Sequence, residues 1–114
     1  MRWVLRSKIH KARVTQANVS SIGSITIDED LMKKVGIWPG EKVLVASNTS
    51  GTRVETYAIA AKKGSHTICI NGAAAHLIKK NEEVIIMGFE PTNKPIKAKI
   101  ILVDKKNNFV KFLK

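Results

Sequence analysis

The residues able to do chemistry in this chain are concentrated in three short segments. Gly23-Ser24 lies between two β-branched runs, within Val19-Ser20-Ser21-Ile22-Gly23-Ser24-Ile25-Thr26-Ile27-Asp28. Alone, a Gly-Ser pair reads as a turn. Glycine also permits backbone geometries closed to other residues, and a serine hydroxyl held against the preceding carbonyl can attack it. Such an attack makes an ester, whose breakdown by β-elimination leaves a pyruvoyl group on the new N-terminus. The second segment is Arg53-Val54-Glu55-Thr56-Tyr57. These are ordinary strand residues, and strand geometry puts Arg53, Glu55 and Tyr57 on one face and Thr56 on the other, so a guanidinium and a phenol can reach one cavity. The third, Asn71-Gly72-Ala73-Ala74-Ala75, reads as a strand end followed by a small-residue helical turn. Small side chains at a helix start uncover backbone N–H groups that can grip a carboxylate.

His10, His66 and His76 lie in different segments without a repeated spacing, so no metal triad is expected. Cys69 sits in an apolar strand and reads as packing rather than as a nucleophile. As the only cysteine it cannot form an internal disulfide, and a reducing cytoplasm is the simplest setting.

The elements that must position these residues are mostly strands, because apolar residues recur with period two. Strands are expected at Ile9–Val14, Ser24–Ile27, Lys42–Ser47, Arg53–Ala60, His66–Ile70, Glu83–Phe89, Ala98–Val103 and Phe109–Leu113. Asp28 offers an N-cap to a helix of about two turns, with Glu29 and Asp30 at its start and Lys33, Lys34 and Gly36 at its end. Trp38-Pro39-Gly40-Glu41, Asn48–Thr52, Lys62–Ser65 and Lys105–Asn108 read as turns, and Ala73–Ile78 as a helical turn. Glu90–Lys97, with two prolines, reads as a loop. So many short strands with little helix suggest a small closed barrel, since closure removes exposed edges.

Composition bounds the rest. The chain has 114 residues, 20 Lys+Arg against 9 Asp+Glu and a formal charge of +11, with 44% hydrophobic residues. That is one domain, 1–114, with enough apolar content to fold. Val84–Met87 and Ile100–Val103, the longest apolar stretches, fall far short of the roughly 18–20 residues of a membrane helix. Arg2, Arg6, Lys8, Lys11 and Arg13 open the chain without a following apolar stretch or cleavage site, so export is not expected. Positive charge raises nucleic acid as a partner. The basic pairs are spread along the chain, however, and no helix-turn-helix, zinc-finger or RNA-recognition signature accompanies them, so no nucleic-acid partner is expected.

Ser7-Lys8-Ile9-His10, Ile22-Gly23-Ser24-Ile25-Thr26-Ile27-Asp28, Thr56-Tyr57-Ala58-Ile59-Ala60 and Asn71-Gly72-Ala73-Ala74-Ala75 together resemble the pyruvoyl-dependent aspartate 1-decarboxylases, in order and spacing from about Ser7 to Phe89. The resemblance implies a mainly β fold, a small closed double-psi β-barrel with one or two short helices, assembled as a homotetramer. It implies a proenzyme that cleaves itself between Gly23 and Ser24 into 1–23 and 24–114. The implied reaction converts L-aspartate to β-alanine and CO₂ in the cytoplasm for pantothenate and coenzyme A biosynthesis. Its cofactor is the covalent pyruvoyl group made from Ser24, with no metal and no PLP.

Carried over by resemblance, Ser24 becomes the pyruvoyl group, whose keto carbon forms a Schiff base with the substrate amine and serves as an electron sink. Tyr57 is the proton donor. Arg53 holds a substrate carboxylate, with Lys8 a second cation. Thr56 contacts the site and assists maturation, the amides of Gly72, Ala73 and Ala74 bind substrate, and Asn71 and His10 line the pocket. Adjacent subunits are expected to share each site, and a helper protein for maturation is compatible with the resemblance. Two features depart from the family pattern: Ser21 stands where many members have tyrosine, and Glu90–Lys114 is shorter and more basic than in many relatives. Two competing readings are a basic DNA-binding barrel module and an uncleaved, inactive relative that keeps only the barrel.

Overall fold

Alternation of apolar and polar residues writes most of this chain as strands, and the computed structural model, which describes residues 1–114, contains nine of them. They are β1 (Arg2–Arg13), β2 (Gln16–Asn18), β3 (Ser24–Asp28), β4 (Lys42–Ser47), β5 (Arg53–Ala61), β6 (Ile68–Asn71), β7 (Glu83–Thr92), β8 (Lys99–Val103) and β9 (Phe109–Leu113). The single α-helix, α1, spans Glu29–Val35, and a 3₁₀ turn spans Gly72–His76. The strands are hydrogen-bonded in the order β2-β6-β3-β5-β4-β7-β1-β8-β9. β1–β8, β2–β6 and β3–β5 are parallel pairs, and the others are antiparallel.

Three strand boundaries differ from the sequence-based expectation by two residues or more. β1 begins at Arg2 rather than Ile9, because it pairs with β7 from Arg2 opposite Thr92 to Arg13 opposite Glu83. Its basic residues hide this length from a hydrophobicity reading, since only Ser7, Ile9 and Ala12 are buried along it. The same pairing corrects the loop expected at Glu90–Lys97: β7 continues to Thr92, with Pro91 opposite Trp3. β4 pairs with β7 only over Val84–Met87, so the missing N–H of Pro91 can face a free edge. β6 begins at Ile68 rather than His66, because His66 takes a left-handed φ of 58°. β2, three residues long, is too short to show a periodicity and was not anticipated.

α1 forms as its ends dictate. The Asp28 carboxylate caps it by accepting from the Asp30 N–H at 2.9 Å, and it also accepts from the N–H groups of Gly64 and His66, tying the β5–β6 loop to the helix start. Gly36 ends the helix at φ 78°, where a left-handed residue lets its N–H reach the Lys33 and Met32 carbonyls. Leu31, Met32 and Val35 face the interior, which Ile9, Ile25, Ile27, Ile68, Ile70, Ile86 and Ile101 fill from the strands.

The result is a mainly β molecule, a small β-barrel with one short α-helix. Its hydrogen-bond ladder does not close on itself, since no pairing joins β2 to β9. Backbone and side-chain hydrogen bonds pin the seam between the end of β1 and β6 instead. The Thr15 N–H donates to the Ile68 carbonyl at 2.7 Å, and the Thr15 hydroxyl accepts from the Ile68 N–H at 3.0 Å. Buried Asn107 accepts from the Arg13 N–H at 2.7 Å and donates to the carbonyls of Arg13 and His66 at 2.9 and 3.0 Å.

Candidate active site

Ser24 opens β3 and pairs across the sheet with Asn71, the last residue of β6. The isoleucines between them in sequence, Ile25 and Ile27 on β3 and Ile68 and Ile70 on β6, point into the core. Strand alternation therefore turns Ser24, Thr26, Cys69 and Asn71 to the opposite face, where they form one polar strip. The Asn71 carboxamide organises it, donating to the Ser24 hydroxyl at 3.0 Å and to the Thr26 hydroxyl at 2.9 Å. Its oxygen accepts from the Cys69 thiol at 3.2 Å. Burial pushes the Cys69 thiol pKa up, which favours the protonated, donating form. Cys69 is thus half-buried in a polar strip rather than simply packed in an apolar strand. Sequence reasoning missed it and Thr26; the signal available was their two-residue offset from Asn71 and Ser24.

Ser24 is 1% exposed, and its hydroxyl lies 3.4 Å from the Ile22 carbonyl oxygen. Gly23, on the other side of the 23–24 peptide, is exposed but is met closely on one side by Gly72. Gly72 has φ 73°, and a Cβ built on it would lie 2.5 Å from the Gly23 Cα and 2.7 Å from the Gly23 nitrogen. The corner between β6 and the 3₁₀ turn therefore rests directly against Gly23. Ala73 and Ala74 follow Gly72 in that turn.

β5 lies on the other side of β3, with Ile25 level with Ala58 in a parallel register. One residue earlier on each strand, Tyr57 comes level with Ser24. Arg53, Glu55 and Tyr57 are exposed on one face of β5, and Thr56, on the other, is half-buried. The Glu55 carboxylate pairs with Lys42 at 2.7 Å, whereas Arg53 has no ion pair within the chain. Lys8 and His10 are on β1, which pairs with β7 and β8 rather than with β3 or β5, and neither side chain makes a hydrogen bond to the group around Ser24. A single chain therefore brings Gly23, Ser24, Asn71, Gly72 and Tyr57 together but does not pair Lys8 or His10 with them.

His10 precedes a bulge in β1, where the register with β7 shifts between Ile9 and Ala12 and Lys11 takes φ 64°. Its Nδ1 is buried without a hydrogen-bond partner. Burial, with help from the Lys8 and Lys11 cations and against the pull of Glu83, holds the imidazole pKa below its ordinary value. A separate groove of about 550 Å³, lined by Trp3, Glu41, Lys42, Leu44, Glu55 and Phe89, includes none of the residues around Ser24. No group of three or more His, Cys, Asp or Glu side chains is placed to hold a metal ion, and no helix is long and apolar enough to cross a membrane.

A buried serine at the head of a barrel strand, bonded to an asparagine and preceded by an exposed glycine that rests on a second glycine, marks this chain as a small β-barrel with a reactive group held at a strand start. Residues 1–110 match the family described as aspartate decarboxylase. The chain is 46% identical over 114 residues to the aspartate 1-decarboxylase of Desulfitobacterium hafniense (strain DSM 10664 / DCB-2), covering 96% of this chain and 90% of that protein. It is 49% identical over 114 residues to the aspartate 1-decarboxylase of Caldicellulosiruptor bescii, covering 95% and 88% respectively. The same name belongs to a Bacillus subtilis (strain 168) protein that is 49% identical over 89 residues, or 78% of this chain and 70% of that one. This chain belongs to the aspartate decarboxylase family.

Proposed function

We propose that the chain decarboxylates L-aspartate to β-alanine and CO₂, and that it prepares its own reactive group by cutting the 23–24 peptide bond. The observation that carries this reading is the burial of Ser24: its hydroxyl is enclosed, takes one hydrogen bond from Asn71, and follows an exposed glycine that the Gly72 backbone approaches closely on one side. A buried nucleophile held next to its own peptide carbonyl gains from proximity and from exclusion of water. The Ser24 oxygen bonds to the Gly23 carbonyl carbon, the C–N bond breaks, and the hydroxyl proton passes to the freed Ser24 nitrogen. Loss of the Ser24 Cα proton then expels the Gly23 carboxylate from the Ser24 Cβ. Addition of one water and loss of ammonia convert residue 24 to a pyruvoyl group, with no net oxidation or reduction. The chain, one domain as made, becomes 1–23 and 24–114.

The residues around Ser24 fit that group, because Asn71 aims an amide donor at residue 24, where a carbonyl oxygen would accept from it. The pyruvoyl group supplies an electron-accepting carbonyl for loss of the substrate carboxylate. The protein side chains do the rest. Tyr57, level with residue 24, delivers a proton to the carbon that CO₂ leaves. Arg53, free of any partner in its own chain, binds a substrate carboxylate in a bidentate pair. Thr56 contributes from the same strand to the site and to maturation, and the amides of Gly72, Ala73 and Ala74 bind substrate.

Lys8 and His10 line the pocket from a neighbouring copy, since within their own chain they stand on β1, which pairs with neither β3 nor β5. This favours a homotetramer with shared sites. The exposed apolar side chains Ile22 (84%), Trp38 (76%) and Ile59 (39%) supply area that assembly would cover. The test is β-alanine and CO₂ formation from L-aspartate by the purified protein and by its Ser24→Ala variant. Equal rates, or none in either, would overturn the proposal.

A further inference from the structure

We propose that Gly72 is a positioning residue for self-cleavage: its missing Cβ lets the β6 corner press on Gly23 and hold the 23–24 peptide against the Ser24 hydroxyl. This rests on the self-cleavage proposed above and adds a role beyond an amide that meets substrate. Any L side chain at Gly72 would put its Cβ 2.5 Å from the Gly23 Cα, 2.7 Å from the Gly23 nitrogen and 3.1 Å from the Ser21 carbonyl oxygen. All three opposing atoms are backbone, so none can swing aside as a side-chain tip would. Ordinary carbon contacts begin near 3.5 Å, and relieving the collision moves Gly23 by about 1 Å.

The displaced atoms belong to the residue whose carbonyl carbon Ser24 must reach. The opposite face of the junction is fixed by the Asn71 hydrogen bond to the Ser24 hydroxyl, and Asn71 immediately precedes Gly72 in the chain. One corner thus holds both partners of the attack, the nucleophile through the Asn71 side chain and the electrophile through the bare Gly72 backbone. The three nearest atoms in the collision belong to Ser21 and Gly23, outside the hydrophobic core.

Substitution at Gly72 also strains a left-handed backbone, and Gly36 separates that effect from the collision. Gly36 has nearly the same φ, 78°, but a Cβ there would meet nothing within 4 Å. Cleavage of freshly purified chain is followed by intact mass for wild type, Gly72→Ala and Gly36→Ala. Thermal melting and circular dichroism of both substitutions in a Ser24→Ala background report the fold of the uncut chain. A shift of about 1 Å at the reacting carbon slows cleavage on the order of 10–100-fold in Gly72→Ala, while Gly36→Ala cleaves at the wild-type rate and both uncut variants keep the parental fold. Wild-type cleavage in Gly72→Ala would overturn the inference, as would equal slowing in Gly36→Ala or loss of fold in uncut Gly72→Ala. Failure of the wild-type chain to cleave would instead overturn the self-cleavage reading on which it rests.

Discussion

Replacing Asn107 with alanine tests how a barrel whose ladder stays open is held shut. Asn107 is 1% exposed and sits in the β8–β9 turn, yet its side chain makes three hydrogen bonds to backbone on β1 and in the β5–β6 loop. Each is worth about 1 kcal/mol net, and leaving the Arg13 and His66 groups dry and unpaired pushes the total upward. Alanine at the φ of 61° that Asn107 adopts adds up to about 1 kcal/mol of strain. The sum is roughly 4 kcal/mol, which for a chain of this length lowers the melting midpoint by about 15 °C. Asn107→Gly removes the bonds but tolerates the backbone, so it should recover about 1 kcal/mol of that loss. The assay is thermal unfolding by circular dichroism at one protein concentration, because assembly adds to apparent stability. All variants carry Ser24→Ala to keep the chain uncut. A midpoint within about 3 °C of the parent would refute the idea that this side chain closes the seam.

Two further outcomes follow from the site. Tyr57→Phe should cut normally yet lose most turnover, because the phenol acts on substrate and not on the 23–24 bond; undiminished β-alanine formation would remove Tyr57 from the mechanism. His10 makes stability fall on acidification through a particular window. Its folded pKa lies below the unfolded value of about 6.5, so the unfolded chain binds the extra proton first and stability is lost as pH drops below about 6.5. Glu82 and Asp104, whose carboxyl pKa values are lowered in the fold, add their losses only at lower pH, near the ordinary carboxylate range. His10→Gln should therefore flatten the melting midpoint between about pH 7 and 5.5, and an unchanged slope there would contradict the assignment.

Where local patterning decided the structure, the sequence was readable. β4 spans the expected Lys42–Ser47, and α1 starts after the expected Asp28 cap and stops at Gly36, because caps and alternation act over a few residues. Pairing partners distant in sequence decided the rest. The first half of β1 and the Pro91 end of β7 are strands only because they lie against each other. Asp28 was legible as a cap, but not as an anchor for the loop holding Gly64 and His66. The same division runs through the site. The motif containing Gly23, Ser24, Asn71 and Gly72 was visible as a set, and the β3–β6 register brings it together. The contact of Gly72 with Gly23 was not visible, because it joins residues 49 apart in the chain. Lys8 and His10 were assigned to a pocket shared between adjacent subunits, and within one chain they lie on β1, which does not pair with β3.

The central claim is that this chain cuts itself at Gly23-Ser24, and intact-mass analysis of purified protein after incubation tests it most directly. The account predicts two pieces, Met1–Gly23 and a second that begins at residue 24 and resists N-terminal sequencing. Their masses should sum to the precursor plus one water minus one ammonia, and Ser24→Ala should remain a single uncut chain. A single full-length mass for the wild-type protein after prolonged incubation would contradict the account and leave an uncleaved relative that keeps only the barrel.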